Sequence, residues 1–352
     1  MLRRLLKRWG SFDTLFVPVV IVILVVYLAT SSPVFLSIGN ISNVLSQMVL
    51  LALVAFGGTF VILVAEIDLS VGAGAAFVSV VAAFVILQSQ SVALGLAVGA
   101  LAGIGIGLVN GLIVTRLEVP SFITTLGMMV ILRGLALSLT NGGVVAGLPD
   151  SFQAVANGAI TGLPYMVWLM GITFVVLYLV QSQTNFGIRV FAVGDNREAA
   201  RLSGIPVATI RLFCFLISGC TMGLAGLSLL IRVESGQPNG ANLLELYAIA
   251  AIVMGGTSLL GGRGSIIRTL FGVLLITILE NGLDLNGVSF DTQQTVIGVV
   301  FILAASVDFV RRHLQSWPSR KMFSVTQDVA LDDVSVSTTA AASQSSMPPS
   351  NR

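Results

Sequence analysis

Lysine occurs only at Lys7 and Lys321, and histidine only at His313. Neither lysine follows a glycine, so no G-x-x-x-x-G-K-[ST] phosphate loop can form, and any ATP must be hydrolysed by another chain. No His/Cys set has metal-ligand spacing, and no G-x-S-x-G elbow presents a serine nucleophile. The expectation is a chain that is not an enzyme, with no catalytic, metal-binding or cofactor-binding residues of its own.

The polar residues it does have are few and grouped. Only 10% of the chain is charged, yet Arg189, Asp195, Arg197, Glu198 and Arg201 all fall within NFGIRVFAVGDNREAARLSGIP, residues 185–206. Glu66, Asp68 and Ser70 lie in a Gly-rich break, EIDLSVGAG. Asp68 and Ser70 can cap a helix beginning near Val71, or help expose backbone to a polar solute. Arg133 sits mid-way along an apolar segment, where a charge costs about 2.5–3.5 kcal/mol and must face protein or water. It can border a solute path, pair with Glu66 or Glu280, or cap carbonyls. Asn43, Gln47, Thr59, Asn110, Thr124, Thr125 and Asn281 add uncharged donors and acceptors. Such groups suit a neutral polyhydroxylated solute, and equally suit helix–helix hydrogen bonds.

These side chains need a scaffold, and the composition names it. The 352 residues are 55% apolar with mean hydropathy +0.98, against roughly 45–50% apolar and about 25% charged for soluble domains. A bundle of spanning helices accounts for the excess, because backbone groups in hydrocarbon must bond internally. The 37 glycines fit close helix packing. Ten apolar segments can be drawn: 14–31, 41–65, 71–88, 91–114, 121–139, 165–181, 209–231, 244–260, 265–283 and 292–310. The third and eighth are short enough to be half-buried or broken. Basic residues flank both ends, and the intervals assigned outside hold one, Arg232, so both termini are expected in the cytoplasm. The first helix should be retained, since no A-x-A-like cleavage site follows it. Segments 41–88 and 244–283 share a plan of helix, Gly-rich break and helix, which hints at a parallel internal repeat. The resulting division is a basic N-terminus, 1–13, a transmembrane domain, 14–310, and a cytoplasmic tail, 311–352, largely disordered. A net charge of +2 gives no reason to expect nucleic acid as a partner.

Within 185–206, residues Arg197 to Ser203 can form about two helical turns, capped by Asn196 or Asp195 and stopped by Gly204 and Pro206. Two turns are unstable alone, so neighbours or a partner must hold them. Glu198 and Arg201 share one side of that helix, while Ala199, Ala200 and Leu202 offer a small apolar contact.

GDNREAARLSGIP, EIDLSVGAGAAF and ELYAIAAIVMGGTSLLGGRGS together resemble the ribose-type permeases, the membrane subunits of bacterial ABC importers for simple sugars. Tyr247 stands where that family carries an acid, and Arg268 where it carries a glycine. The resemblance implies an all-α polytopic protein of the bacterial inner membrane, with about ten helices and a short cytoplasmic coupling helix. It implies ATPase coupling through Asn196, Arg197, Glu198, Ala199, Ala200, Arg201, Leu202, Ser203 and Gly204. A translocation path would draw on Asp68, Ser70, Asn43, Gln47, Arg133, Thr124 and Asn281. The partners implied are an ATP-binding subunit, an extracytoplasmic sugar-binding protein and a second permease copy or paralogue. The alternative is a self-sufficient ion-coupled transporter, for which the expected spans hold few carboxylates and no histidine.

Overall fold

Apolar segments of this length can satisfy their backbones in a membrane only as helices, and the computed structural model is helical almost throughout. It describes residues 2–289 and 291–302, with side chains from residue 17 onward. Seven helices are long and apolar enough to cross a membrane. They are α2 (Ile38–Leu63), α3 (Val71–Ser89), α4 (Val92–Arg116), α5 (Ser121–Thr140), α7 (Tyr165–Gln183), α10 (Val207–Val233) and α12 (Ile266–Leu285). Two more are apolar but shorter: the Val17–Ser31 part of α1 (Leu2–Ser31), and α11 (Leu244–Met254). The chain is an all-α multi-pass membrane protein.

Seven such helices stand against the ten expected, and α11 is one reason. It stops at Met254 rather than near 260, because Gly256 takes the left-handed conformation, φ +85°, and closes a Schellman turn with Thr257 N–H donating to the Ile252 carbonyl. Eleven residues reach only about 17 Å, little more than half the hydrocarbon core. The tenth segment is helical over its described part, 292–302. Asp308, His313 and the tail 311–352 lie outside the described residues. The compact unit Met1–Ile297 carries the features below; residues 298–302 belong to a second unit.

Helix α10 forms the core, packed on α2, α3 and α4. Its most apolar window is 78% buried, against 17% for α5, so α10 is shielded by protein while α5 presents most of its surface outward. The α4–α10 contact is built from glycine. A Cβ on Gly103 would lie 2.7 Å from the Gly219 carbonyl oxygen, and one on Gly107 would lie 2.8 Å from Gly219 Cα. The i, i+4 spacing of Gly103 and Gly107, set against Gly219 and Gly223, lets two backbones touch.

Helix α1 lies on α12 through Ile21, Leu28, Leu275 and Ile278, and Gly282 leaves room for Leu28. Asn40 and Asn281 exchange amide hydrogen bonds of 3.0 and 2.9 Å beside that seam. The interval 140–164, between the fifth and sixth apolar segments, folds further. Helix α6 (Asp150–Ala156) buries Phe152, and strands β1 (Ala159–Ile160) and β2 (Leu163–Pro164) pair antiparallel.

Candidate functional site

Thr184 caps helix α8 (Asn185–Asp195) by accepting from Gly187 N–H, and α8 buries Val190 and Val193. The sequence reading missed this helix, although Gly187, Val190 and Val193 already recur at a three-residue spacing. The expected short helix follows as α9 (Arg197–Leu202). Asn196 is its cap, accepting from Ala199 N–H at 2.9 Å. Gly204, at φ +79°, ends it, with Ile205 N–H donating to the Ala200 carbonyl. Glu198 and Arg201 pair with each other in two bonds of 3.0 and 2.6 Å. Hydrogen bonding from the Arg201 guanidinium, with its charge, holds the Glu198 carboxyl below its ordinary range. What that pair contributes is therefore present above the ordinary carboxylate value and lost as pH falls through the lowered one.

One expectation about α9 needs correcting. Ala200 is buried against its own chain, so it cannot form the outward apolar contact together with Ala199 and Leu202. Leu202 is 76% exposed and Ala199 is exposed, and these two remain on the outer face with Glu198, Arg201 and Ser203.

The sequence also gave no sign of where Arg197 would reach. Its Nη2 donates to the Val64 and Ala65 carbonyls, each at 3.0 Å, and to Glu66 Oε1 at 2.6 Å. Arg211, one turn into α10, binds the same Glu66 oxygen through Nε at 2.8 Å. Glu66 is thus a buried carboxylate held by two guanidinium groups, one from the first residue of α9 and one from α10, charge-assisted on both. Helix α2 ends there because Ala65 adopts φ +58°, and Glu66 N–H closes back on the Val61 carbonyl. The second Gly-rich break arrives at the same point, with Gly262 N–H donating to the Leu63 carbonyl at 2.9 Å. Gly194 of α8 packs on both; a Cβ there would collide with the Leu63 carbonyl oxygen. The two breaks that look alike in sequence therefore meet beside the α8–α9 elbow.

Beyond Glu66 the chain runs extended into a buried polar knot. Asp68 Oδ1 accepts from Ser70 N–H and Ser70 Oγ at 3.0 and 2.6 Å, and Oδ2 accepts from Ser218 Oγ at 2.9 Å. Asn110 Nδ2 donates to Ser70 Oγ at 2.9 Å. Ser70 makes no side-chain cap to α3, contrary to the local role expected of it, because Asp68 and Asn110 engage its hydroxyl. The knot joins the start of α3 to α4 and α10. Ser121 and Thr125 of α5 hold the same extended segment from the other side, at the Ile67 and Leu69 amides.

The remaining expected path residues are scattered. Arg133 pairs with neither Glu66 nor Glu280; it caps the Pro238 and Gly240 carbonyls at 2.8 and 3.1 Å. Thr124 bonds back to the Pro120 carbonyl within α5, and its neighbour Thr125 touches the break. Asn281 is committed to Asn40. Asn43 is exposed on α2. Gln47 lines a cavity at the other end of α2. Among the described residues no group of three His, Cys, Asp or Glu could hold a metal ion.

The family described as branched-chain amino acid transport system / permease component matches residues 40–305. The ribose import permease protein RbsC of Bacillus subtilis (strain 168) is 40% identical over 305 residues, covering 86% of this chain and 93% of its own. RbsC of Escherichia coli (strain K12) is 40% identical over 82% of this chain and 92% of its own. The L-arabinose ABC transporter permease protein AraH of Azospirillum brasilense is 37% identical, over 87% and 90%. No solved structure matches the chain. A match spanning every helix from α2 to α12, with relatives of similar length, settles the relationship: this chain belongs to the permease-component family and, within it, to the ribose-type permeases that its loop and break motifs resemble.

Proposed function

We propose that this chain is the translocation subunit of an ATP-driven importer for a monosaccharide or related polyol. It lies in the bacterial inner membrane with both termini in the cytoplasm, and crosses it ten times if α1, α11 and the helix beginning at 291 count as crossings. Its partners are an ATP-binding subunit, an extracytoplasmic sugar-binding protein and a second permease copy or paralogue. ATP is bound by the partner, and this chain needs no cofactor. Ribose and arabinose permeases at 37–40% identity support the solute class.

The observation that carries the mechanism is the Arg197–Glu66–Arg211 bridge. Helix α9 exposes Glu198, Ala199, Arg201 and Leu202 to a partner while Arg197 grips the end of α2. Displacement of α9 by the ATPase therefore pulls on Glu66. Glu66 leads directly into the extended segment that ends in the Asp68–Ser70–Ser218 knot, so α3, α4 and α10 feel the same pull. Two rigid arrangements of this linkage would bias inward- against outward-open states.

Arg197→Ala tests it. Arg197 is 44% exposed and Glu66 keeps Arg211 as a partner without it, so the variant is expected to fold. In proteoliposomes holding the whole importer, sugar moved per ATP hydrolysed should fall at least tenfold while the ATPase still co-purifies. A wild-type ratio would refute the route through Glu66.

A further inference from the structure

At the end of the bundle opposite Glu66 lies a second polar centre that the coupling mechanism does not use. A cavity of about 520 Å³ opens among α2, α10, α11, α12 and residues 293–294. That is within the roughly 300–1,000 Å³ of small-molecule sites. Its polar lining comes from Gln47, Arg232, Asn242, Tyr247, Glu280 and Asp284. These arrive from separate places: the early turns of α2, the last turn of α10, the connection before α11, the first turn of α11 and the end of α12. Gln47 lies about 24 Å along α2 from Leu63, so one helix joins this cavity to the coupling point.

We propose that this cavity is a waypoint binding the transported polyol on its way in, with Tyr247 and Glu280 setting its preference. The inference rests on the sugar-import reading above.

The donor set fits hydroxyl groups. A sugar hydroxyl both donates and accepts. Carboxylates only accept, a guanidinium only donates, and amides and a phenol do both. Arg232 and Glu280 face the same cavity, and no ion pair closes between them among the described residues. Their charge-assisted bonding capacity is therefore directed at whatever enters. Asp284 is steadied by Gln293 Nε2 at 2.7 Å, which leaves its second oxygen for a ligand or water. Tyr247 lends a ring face to the apolar side of a sugar.

The test uses the reconstituted importer, with D-ribose, L-arabinose and L-leucine as probes. Gln47→Cys is placed in a Cys220→Ser background, since Cys220 is exposed and Cys214 is buried. A small thiosulfonate reagent should label Gln47→Cys at least threefold more slowly when a sugar is present, and at an unchanged rate with L-leucine. Separately, Tyr247→Ala, which removes the ring, and Glu280→Gln should each raise the KM for sugar uptake at least fivefold. Glu280→Gln keeps the size of the side chain and so guards against a folding defect. Unprotected labelling together with wild-type KM values overturns the cavity assignment and leaves sugar import standing. Protection by L-leucine alone overturns the polyol preference. Failure of the wild-type importer to move either sugar overturns both.

Discussion

Glu66 concentrates more consequence than any other side chain in the bundle. It is buried, it holds two arginines, and it marks the residue where a helix gives way to extended chain. Removing the shared carboxylate strands two guanidinium groups, and breaking a buried charged set in this way costs about 3–5 kcal/mol, whereas without Arg197 the Glu66–Arg211 pair remains. Glu66→Gln should therefore lower expression and thermal stability as well as transport, whereas Arg197→Ala should spare stability; melting curves in detergent would separate the two. The α9 face yields a sharper pair. Leu202→Asp should abolish ATPase co-purification with the melting temperature unchanged, because Leu202 touches little of its own chain. Ala200→Glu should instead destabilise the protein itself by overpacking, about 1–3 kcal/mol. Equal ATPase retention in Leu202→Asp and wild type would show that α9 is not the docking face. Sequence alone could not distinguish Ala199 from Ala200, since adjacent alanines carry no pattern, and burial depends on where α8 delivers the helix. It could not pair Glu66 with Arg197 either, because they lie 131 residues apart and nothing local links them.

At the scale of elements, the legible parts are those governed by local rules. The short helix α9 follows from an Asn cap and a Gly-x-Pro stop. The long apolar helices follow from hydropathy. Helix α11 falls short because a second glycine switches the backbone to the left-handed region, and an apolar count through 244–260 does not weigh that. Helix α8 escaped notice because its charges disguised a buried face. Asp68 and Ser70 looked like a local cap; a long-range knot with Asn110 and Ser218 engages them instead. The glycine contact between α4 and α10 gives an element-scale test. Gly107→Leu should force the helices apart and lower the melting temperature by on the order of 5 °C. Gly105→Leu, on the same helix with open space around its Cβ, should change it little. Similar losses for both would mean that the backbone contact is not what holds these helices.

For the whole molecule, in the proposed mechanism, the ends of the bundle have separate tasks: charge-tethered coupling at one, a polar cavity at the other. The topology that this requires is checkable. With Cys220 replaced by Ser, Ser151→Cys should react with a membrane-impermeant reagent only from outside, and Ser203→Cys only from inside. Reaction of both from one face would invert one end and dissolve the division of labour.

The reciprocal amide pair between Asn40 and Asn281 bears on how such a chain is made. The partners are 241 residues apart. At a synthesis rate of about 5–20 residues per second, Asn40 waits roughly 12–50 s for its mate. During that time Asn40 has only its bond to the Phe35 carbonyl and Thr59 only its bond to the Ala55 carbonyl, while the long-range bonds to Asn281 and Thr269 wait. A polar side chain with part of its bonding capacity unmet is costly where water is scarce. The nascent protein thus has a built-in interval of dependence on whatever escorts unfinished helices, and it ends only when α12 arrives. A chain released before residue 269 should be degraded far faster than one released after 285, by a margin that its lost length alone does not explain.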